Sequence, residues 1–145
     1  MRRIASFCLL FAASFAALRD AEAGAHEYEC MTTTWRVSGN DGKLHEPELP
    51  KDSLGMSKAF SGKPFHVDRA SGTVLGSYPF WLPPGPETHV LSHGSETQAF
   101  SVIYVGPLYQ GGRRAVFLVI GEDARSPKKS FIAADAGNVY GGFCT

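Results

Sequence analysis

Two cysteines, Cys30 and Cys144, stand at opposite ends of everything in this chain that reads as foldable. The third, Cys8, lies in an N-terminus with the marks of a secretory leader. Arg2 and Arg3 form a short positive region, Ile4 to Leu18 is an uncharged and largely apolar run, and Arg19 and Asp20 end it. Ala21-Glu22-Ala23 and Ala23-Gly24-Ala25 each put small residues where a signal peptidase inspects the chain. Residues 1–25 are therefore expected to be a signal peptide that is removed, with the cut after Ala23 or Ala25. The apolar run falls short of the roughly 20 residues of a spanning helix, so no stable membrane insertion is expected after cleavage. The expected product is one domain, residues 26–145, periplasmic or secreted.

In an oxidising compartment the two remaining thiols read as one disulfide, Cys30–Cys144. Closing a loop on the order of 100 residues restrains the unfolded chain by about 4–5 kcal/mol in the loop-entropy account. The bridge also requires Cα atoms within about 7 Å. The first and last elements of the domain must then be neighbours.

Between the cysteines the pattern is that of strands. Tyr28 to Val37 carries Thr32, Thr33, Thr34, Trp35 and Val37, a β-branched and aromatic run that ends in the turn residues Ser38 to Gly42. Phe65–Val67 and Thr73–Leu75 flank Asp68 to Gly72 as a bulged hairpin would. The run from Gln98 to Val105 is followed by Arg114 to Ile120 across Gln110-Gly111-Gly112. Phe131–Ala133 and Val139–Tyr140 form a last hairpin around Asp135 to Asn138. The expected fold is all-β, a small antiparallel meander forming a closed or nearly closed barrel or sandwich. Val116 to Ile120 is apolar at successive positions, which predicts cover on both faces of that strand. Pro47 to Ser57 has room for one helical turn, and Tyr78 to Pro86 reads as irregular.

Composition narrows the function classes. At 43% hydrophobic and 19% charged residues the chain is not a disordered tail. The formal net charge is +0, and loss of residues 1–25 leaves one acidic residue in excess. Nothing in that balance points to nucleic acid or an anionic membrane surface.

Three stretches carry a resemblance. Phe65, Val67, Asp68, Arg69, Ser71, Gly72, Val74 and Gly76 follow an F-x-V-D-R-x-[ST]-G-x-[VM]-x-G pattern. Gly94, Ser95, Phe100 and Val102 follow G-S-x-x-x-x-F-x-V, and Pro127, Lys129, Phe131, Val139, Gly142 and Cys144 make the ending. Together these resemble a family of small exported bacterial proteins of no assigned activity, over most of residues 60–145. Ser130 departs from that pattern, where a Pro tends to follow the Lys. The resemblance implies the fold and export, and implies no chemistry.

Candidate sites are weighed separately. His26 would become the N-terminus after a cut at Ala25, and its amine and imidazole, with His89 or His93, are ligands that suit Cu(II). The plainer reading is five solvated or core-edge histidines, because no metal-ligand spacing is present. Gly94-Ser95-Glu96 beside His93 lacks the second Gly and the helix of a nucleophile elbow. Glu46, Glu48, Asp52, Glu122 and Asp123 read as loop carboxylates, and Arg113, Arg114 and Arg125 to Lys129 as charged hairpin tips. No catalytic residue and no cofactor is expected.

The most unusual composition lies in Ser77 to Pro86, where Tyr78, Phe80 and Trp81 stand beside four prolines. Proline lowers the ordering cost of a loop and aromatics supply contact area, as in a recognition loop. The same loop can instead fold over one end of the sheet and give Phe80 and Trp81 to the core. The expected function is an exported, non-enzymatic binding or interaction protein of the bacterial envelope with Tyr78, Phe80 and Trp81 as its contact surface. Its partner would be a protein or small ligand in the periplasm. The alternatives are a copper protein using His26 and a small-ligand carrier with a cavity inside a barrel.

Overall fold

The computed structural model describes residues 26–48, 62–80, 82–95, 97–108, 111–122 and 126–145. The signal-peptide expectation for residues 1–25 and most of the expected helical turn in 47–57 lie outside them. Among the described residues there are nine strands and no helix: β1 Glu27–Ser38, β2 Leu44–His45, β3 Pro64–Asp68, β4 Val74–Gly76, β5 Glu87–Ser95, β6 Gln98–Pro107, β7 Arg113–Ile120, β8 Lys129–Asp135 and β9 Asn138–Cys144. They form one antiparallel sheet in the order β4-β3-β1-β9-β8-β7-β6-β5, with β2 paired to β1, and the sheet curls into a half-barrel.

The cysteines explain the centre of that order. Cys30 of β1 and Cys144 of β9 are direct partners across the ladder. Their sulphurs lie 2.01 Å apart, at disulfide distance. The first and last strands therefore meet in the middle of the sheet rather than at its margins. The margins are β4 and β5, which follow one another in sequence.

Alternation along each strand decides what is inside. Val116, Leu118 and Ile120 of β7 are fully buried, as are Phe100, Val102 and Tyr104 of β6 and Phe65 and Val67 of β3. The expected two-sided cover of β7 is corrected by the outer face. Phe117 is 41% exposed, and Ile132 of β8 and Phe143 of β9 are 58% and 50% exposed. The continuous apolar run instead gives this strand an apolar exterior. A second difference concerns Thr88 to His93, which reads from sequence as a strand-to-turn passage. It is the body of β5, a nine-residue strand. With one paired edge and little burial, β5 carries a weak apolar pattern that residue type alone does not reveal.

Candidate functional site

Because the first and last strands pair in the middle of the sheet, its free margins among the described residues are β4 and β5, and the gap lies between them. Among the described residues no main-chain hydrogen bond joins β4, or the turn before it, to β5. The gap is bounded by two regions of opposite chemistry.

At the upper end the closure is made by two side chains, Arg69 and His93. Asp68 Oδ1 accepts hydrogen bonds from Ser71 N and Ser71 Oγ at 2.6 and 2.7 Å, which fixes the turn after β3 and holds the Asp68 carboxyl below its ordinary range. Arg69 then reaches across the gap. Its Nη2 donates to the carbonyls of His93 and Gly94 at 2.9 and 3.3 Å, and its Nε to His93 at 3.2 Å. In return His93 Nδ1 donates to the Arg69 carbonyl at 3.0 Å, the only polarity a carbonyl permits. The guanidinium lies 5.2 Å from the Tyr28 ring centroid and 3.1 Å from Glu122 Oε1.

Glu122 anchors this clasp. Its side chain is only 6% exposed, and Lys129 Nζ lies 2.6 Å from its other oxygen. Tyr28 donates its hydroxyl to the same carboxylate. Burial by itself would raise the Glu122 pKa, but the hydrogen bonds from Lys129 and Tyr28 and the charges of Lys129 and Arg69 outweigh it and hold the carboxyl below its usual range. Burial, with the Glu122 carboxylate beside it, pushes the Tyr28 hydroxyl up, so it stays a proton donor. Each charge in the cluster faces a counter-charge. That is the build of a lock.

The lower end is made by the aromatic and proline loop. Phe80 is 1% exposed and sits edge-on to Phe65 with centroids 5.8 Å apart, and stacked near Tyr104 at 6.4 Å. Tyr78 stacks on Phe80 at 5.4 Å and stays partly exposed. Pro83 is buried against β6, and it can lie there because Gly106 has no side chain: a Cβ at Gly106 would fall 2.5 Å from Pro83 Cγ. The loop thus folds over the sheet's mouth, with Phe80 inside and Tyr78 at the rim. Trp81 lies outside the described residues.

Beside the loop is a cleft of 460 Å³, walled by Tyr78, Leu82 and the segment Pro83 to Pro86 on one side. Thr73 and Val74 at the start of β4, Thr88 of β5 and Tyr104 of β6 make the other. Among the described residues no charged side chain lines it. Tyr104 donates its hydroxyl to the Gly72 carbonyl at 2.6 Å, and its burial raises its pKa, so this donor does not ionise at neutral pH. Gly72 takes a φ of 73°, and a Cβ there would lie 2.8 Å from Val102 Cγ2. Only glycine lets the turn press this closely on β5 and β6.

Below the cleft the inner face ends in a buried polar group. Arg114 Nη2 lies 2.7 Å from Asp135 Oδ1, whose side chain is wholly buried. Asn138 Nδ2 donates to the same oxygen at 2.9 Å, and Trp35 Nε1 donates to Asn138 Oδ1 at 3.2 Å. Tyr140, stacked on Trp35, has its pKa pushed up to about 12 by burial and by the Asp135 charge.

Of the histidines singled out in the sequence, His26 and His93 both hydrogen-bond to the Arg69 main chain, and His89 lies apart from them. His89 pairs with Ile103 and His93 with Phe100, and the register shift between Val90 and Ser92 turns them to opposite faces. His89 Nε2 lies 3.8 Å from Glu87 Oε2, while the main-chain oxygen of His26 accepts a hydrogen bond from Arg69 N at 2.9 Å. Among the described residues no group of three or more His, Cys, Asp or Glu is placed to hold a metal ion. Reading the sequence missed Arg69, Glu122 and Tyr28 as partners, and missed Thr73, Thr88 and Tyr104 as walls. The only signal for any of them was the position of Arg69 within the Phe65 to Gly76 hairpin pattern. Compared with protein families, with curated proteins and with solved structures, the chain finds no match.

Proposed function

We propose that this is an exported, non-enzymatic binding protein of the bacterial envelope whose ligand site is the cleft beside the 77–86 loop. The observation that carries the reading is the uncharged wall of that 460 Å³ cleft, built of prolines, Tyr78, Thr73, Thr88 and Tyr104. Its size falls in the range of ligand pockets, roughly 300–1,000 Å³. Apolar rings with a few hydroxyl groups favour a neutral ligand with its own hydrogen-bonding groups, since an ion would lose hydration there without a counter-charge. The inner face is packed with Phe65, Phe80, Phe100 and Phe131. This favours a ligand at the mouth over one carried inside a barrel. Tyr78 is the element of the sequence-level contact surface that a ligand would touch, with Phe80 supporting it from the core.

Calorimetric titration with neutral oligosaccharides and blocked uncharged peptides, alongside charged counterparts, tests the reading. Binding is expected within the uncharged classes and is expected to disappear in Thr88→Trp, which fills the cleft. Binding only of charged ligands, or uncharged binding untouched by Thr88→Trp, would overturn it. Export is tested by sequencing the N-terminus of protein recovered from the envelope. A start at Met1 contradicts it.

A further inference from the structure

Resting on that reading, we infer that the ligand is an extended, uncharged peptide segment that adds as a strand along the free edge of β5. The edge is present because the sheet joins its first and last strands in the middle. Among the described residues β5 has β6 as its one strand partner and β4 has β3, and the cleft lies between these two edges. A strand with one partner still presents main-chain donors and acceptors along its other side, which is the template for strand addition. Here that template borders a cleft with Thr88 on one wall and Tyr78 and the prolines on the other.

The structure also sets the limits of the added strand. Towards Ser95 the edge is closed, because Arg69 already occupies the carbonyls of His93 and Gly94. Just below, the register shift between Val90 and Ser92 interrupts the ladder, and bulges of this kind blunt an edge. The open part is Glu87 to Val90, enough for a paired segment of about four residues at roughly 3.3 Å each. An added strand antiparallel to β5 would point alternate side chains at Tyr78 and the proline wall. Among the described residues the cleft side carries no charge, so that set of side chains is selected to be small and neutral, while the other set passes Glu87 and His89. Affinity comes from main-chain hydrogen bonds, so the site would tolerate many sequences while requiring an extended backbone.

The test is selection from a library of end-blocked, uncharged octapeptides against the whole domain, followed by N-methylation of each backbone position of a selected peptide. Methylation in one alternating set is expected to weaken binding about tenfold per position, as loss of a main-chain hydrogen bond gives, and to have little effect in the other set. Amide exchange at Glu87 to Val90 is expected to slow on binding. If neutral oligosaccharides bind and no octapeptide does at millimolar concentration, strand addition fails while the cleft reading stands. Peptide binding that ignores N-methylation, or protection that falls on the exposed strip around Phe117 and Ile132, also overturns the inference. If the free edge pairs two copies of the chain instead, a concentration-dependent dimer with protection at Glu87 to Val90 and no peptide added would overturn it too.

Discussion

The two ends of the gap between β4 and β5 solve one problem with different chemistry. The upper end is held by charge, with Arg69 spread over two carbonyls and a buried carboxylate behind it. The lower end is held by shape, with Phe80 driven among Phe65, Tyr104 and Tyr140 and the proline loop laid over the opening. Directional hydrogen bonds need only a few atoms in register and leave little space, so the upper end is shut. Rings and prolines fill volume without matching the edges' hydrogen-bonding groups, so the lower end keeps a cleft. A sheet missing one ladder can thus be tight at one end and receptive at the other.

The contrast can be broken first at the aromatic end. Phe80→Ala should cost about 3–5 kcal/mol, the range for deleting a fully buried aromatic. Urea unfolding should show the midpoint fall, and a loss below 1 kcal/mol would mean that the loop does not plug the sheet. At the other end Glu122→Gln should cost about 2–3 kcal/mol. It strips the carboxylate from Lys129 and Arg69, a loss discounted from the fully buried case because both cations keep some solvent contact. The clasp should also be acid-labile. The folded-state pKa of Glu122 is depressed, so its contribution is complete above the ordinary carboxylate range and is lost as pH falls through the folded value. The stability gap between wild type and Glu122→Gln should therefore narrow as pH drops below about 4, near the unfolded carboxylate value, and a constant gap would refute the assignment. Tyr104→Phe should cost about 1 kcal/mol through the Gly72 carbonyl, which sharpens how much of the contact between turn and sheet is polar. Thr88→Val should change stability by no more than about 0.5 kcal/mol while altering ligand binding, because its side chain lines the cleft.

The outer face offers a further lesson. From sequence, an unbroken apolar run such as Val116 to Ile120 implies two covered faces, yet Phe117 and Ile132 stand exposed. Periodicity reports how apolar each face is and not what lies over it. In the same way β5 escaped notice because an edge strand needs few buried side chains, and Thr88, His89, Ser92 and His93 are chosen for solvent and for turn contacts. Glu122 reads as a loop carboxylate and Arg69 as part of a hairpin turn because their meeting depends on two hairpins arriving at the same place. The loop at Tyr78 to Pro86 was visible in composition, but composition left open which ring goes inside. Packing settled that for Phe80 and Tyr78, since one ring fits among Phe65, Tyr104 and Tyr140 and the other stacks on its back.

What the sequence determined by itself were the features set by near neighbours. Strand alternation, the turn chemistry of Asp68 to Gly72 and Asp135 to Asn138, and the pairing of Cys30 with Cys144 were all legible from local pattern or, for the cysteines, from setting aside the expected leader. Where the sheet would remain open was decided by the tertiary structure alone. Joining β1 to β9 moves the gap to β4 and β5, and the groups that bridge or border it come from segments far apart along the chain. Their contact is a property of the closed sheet, and no local stretch of residues carries it.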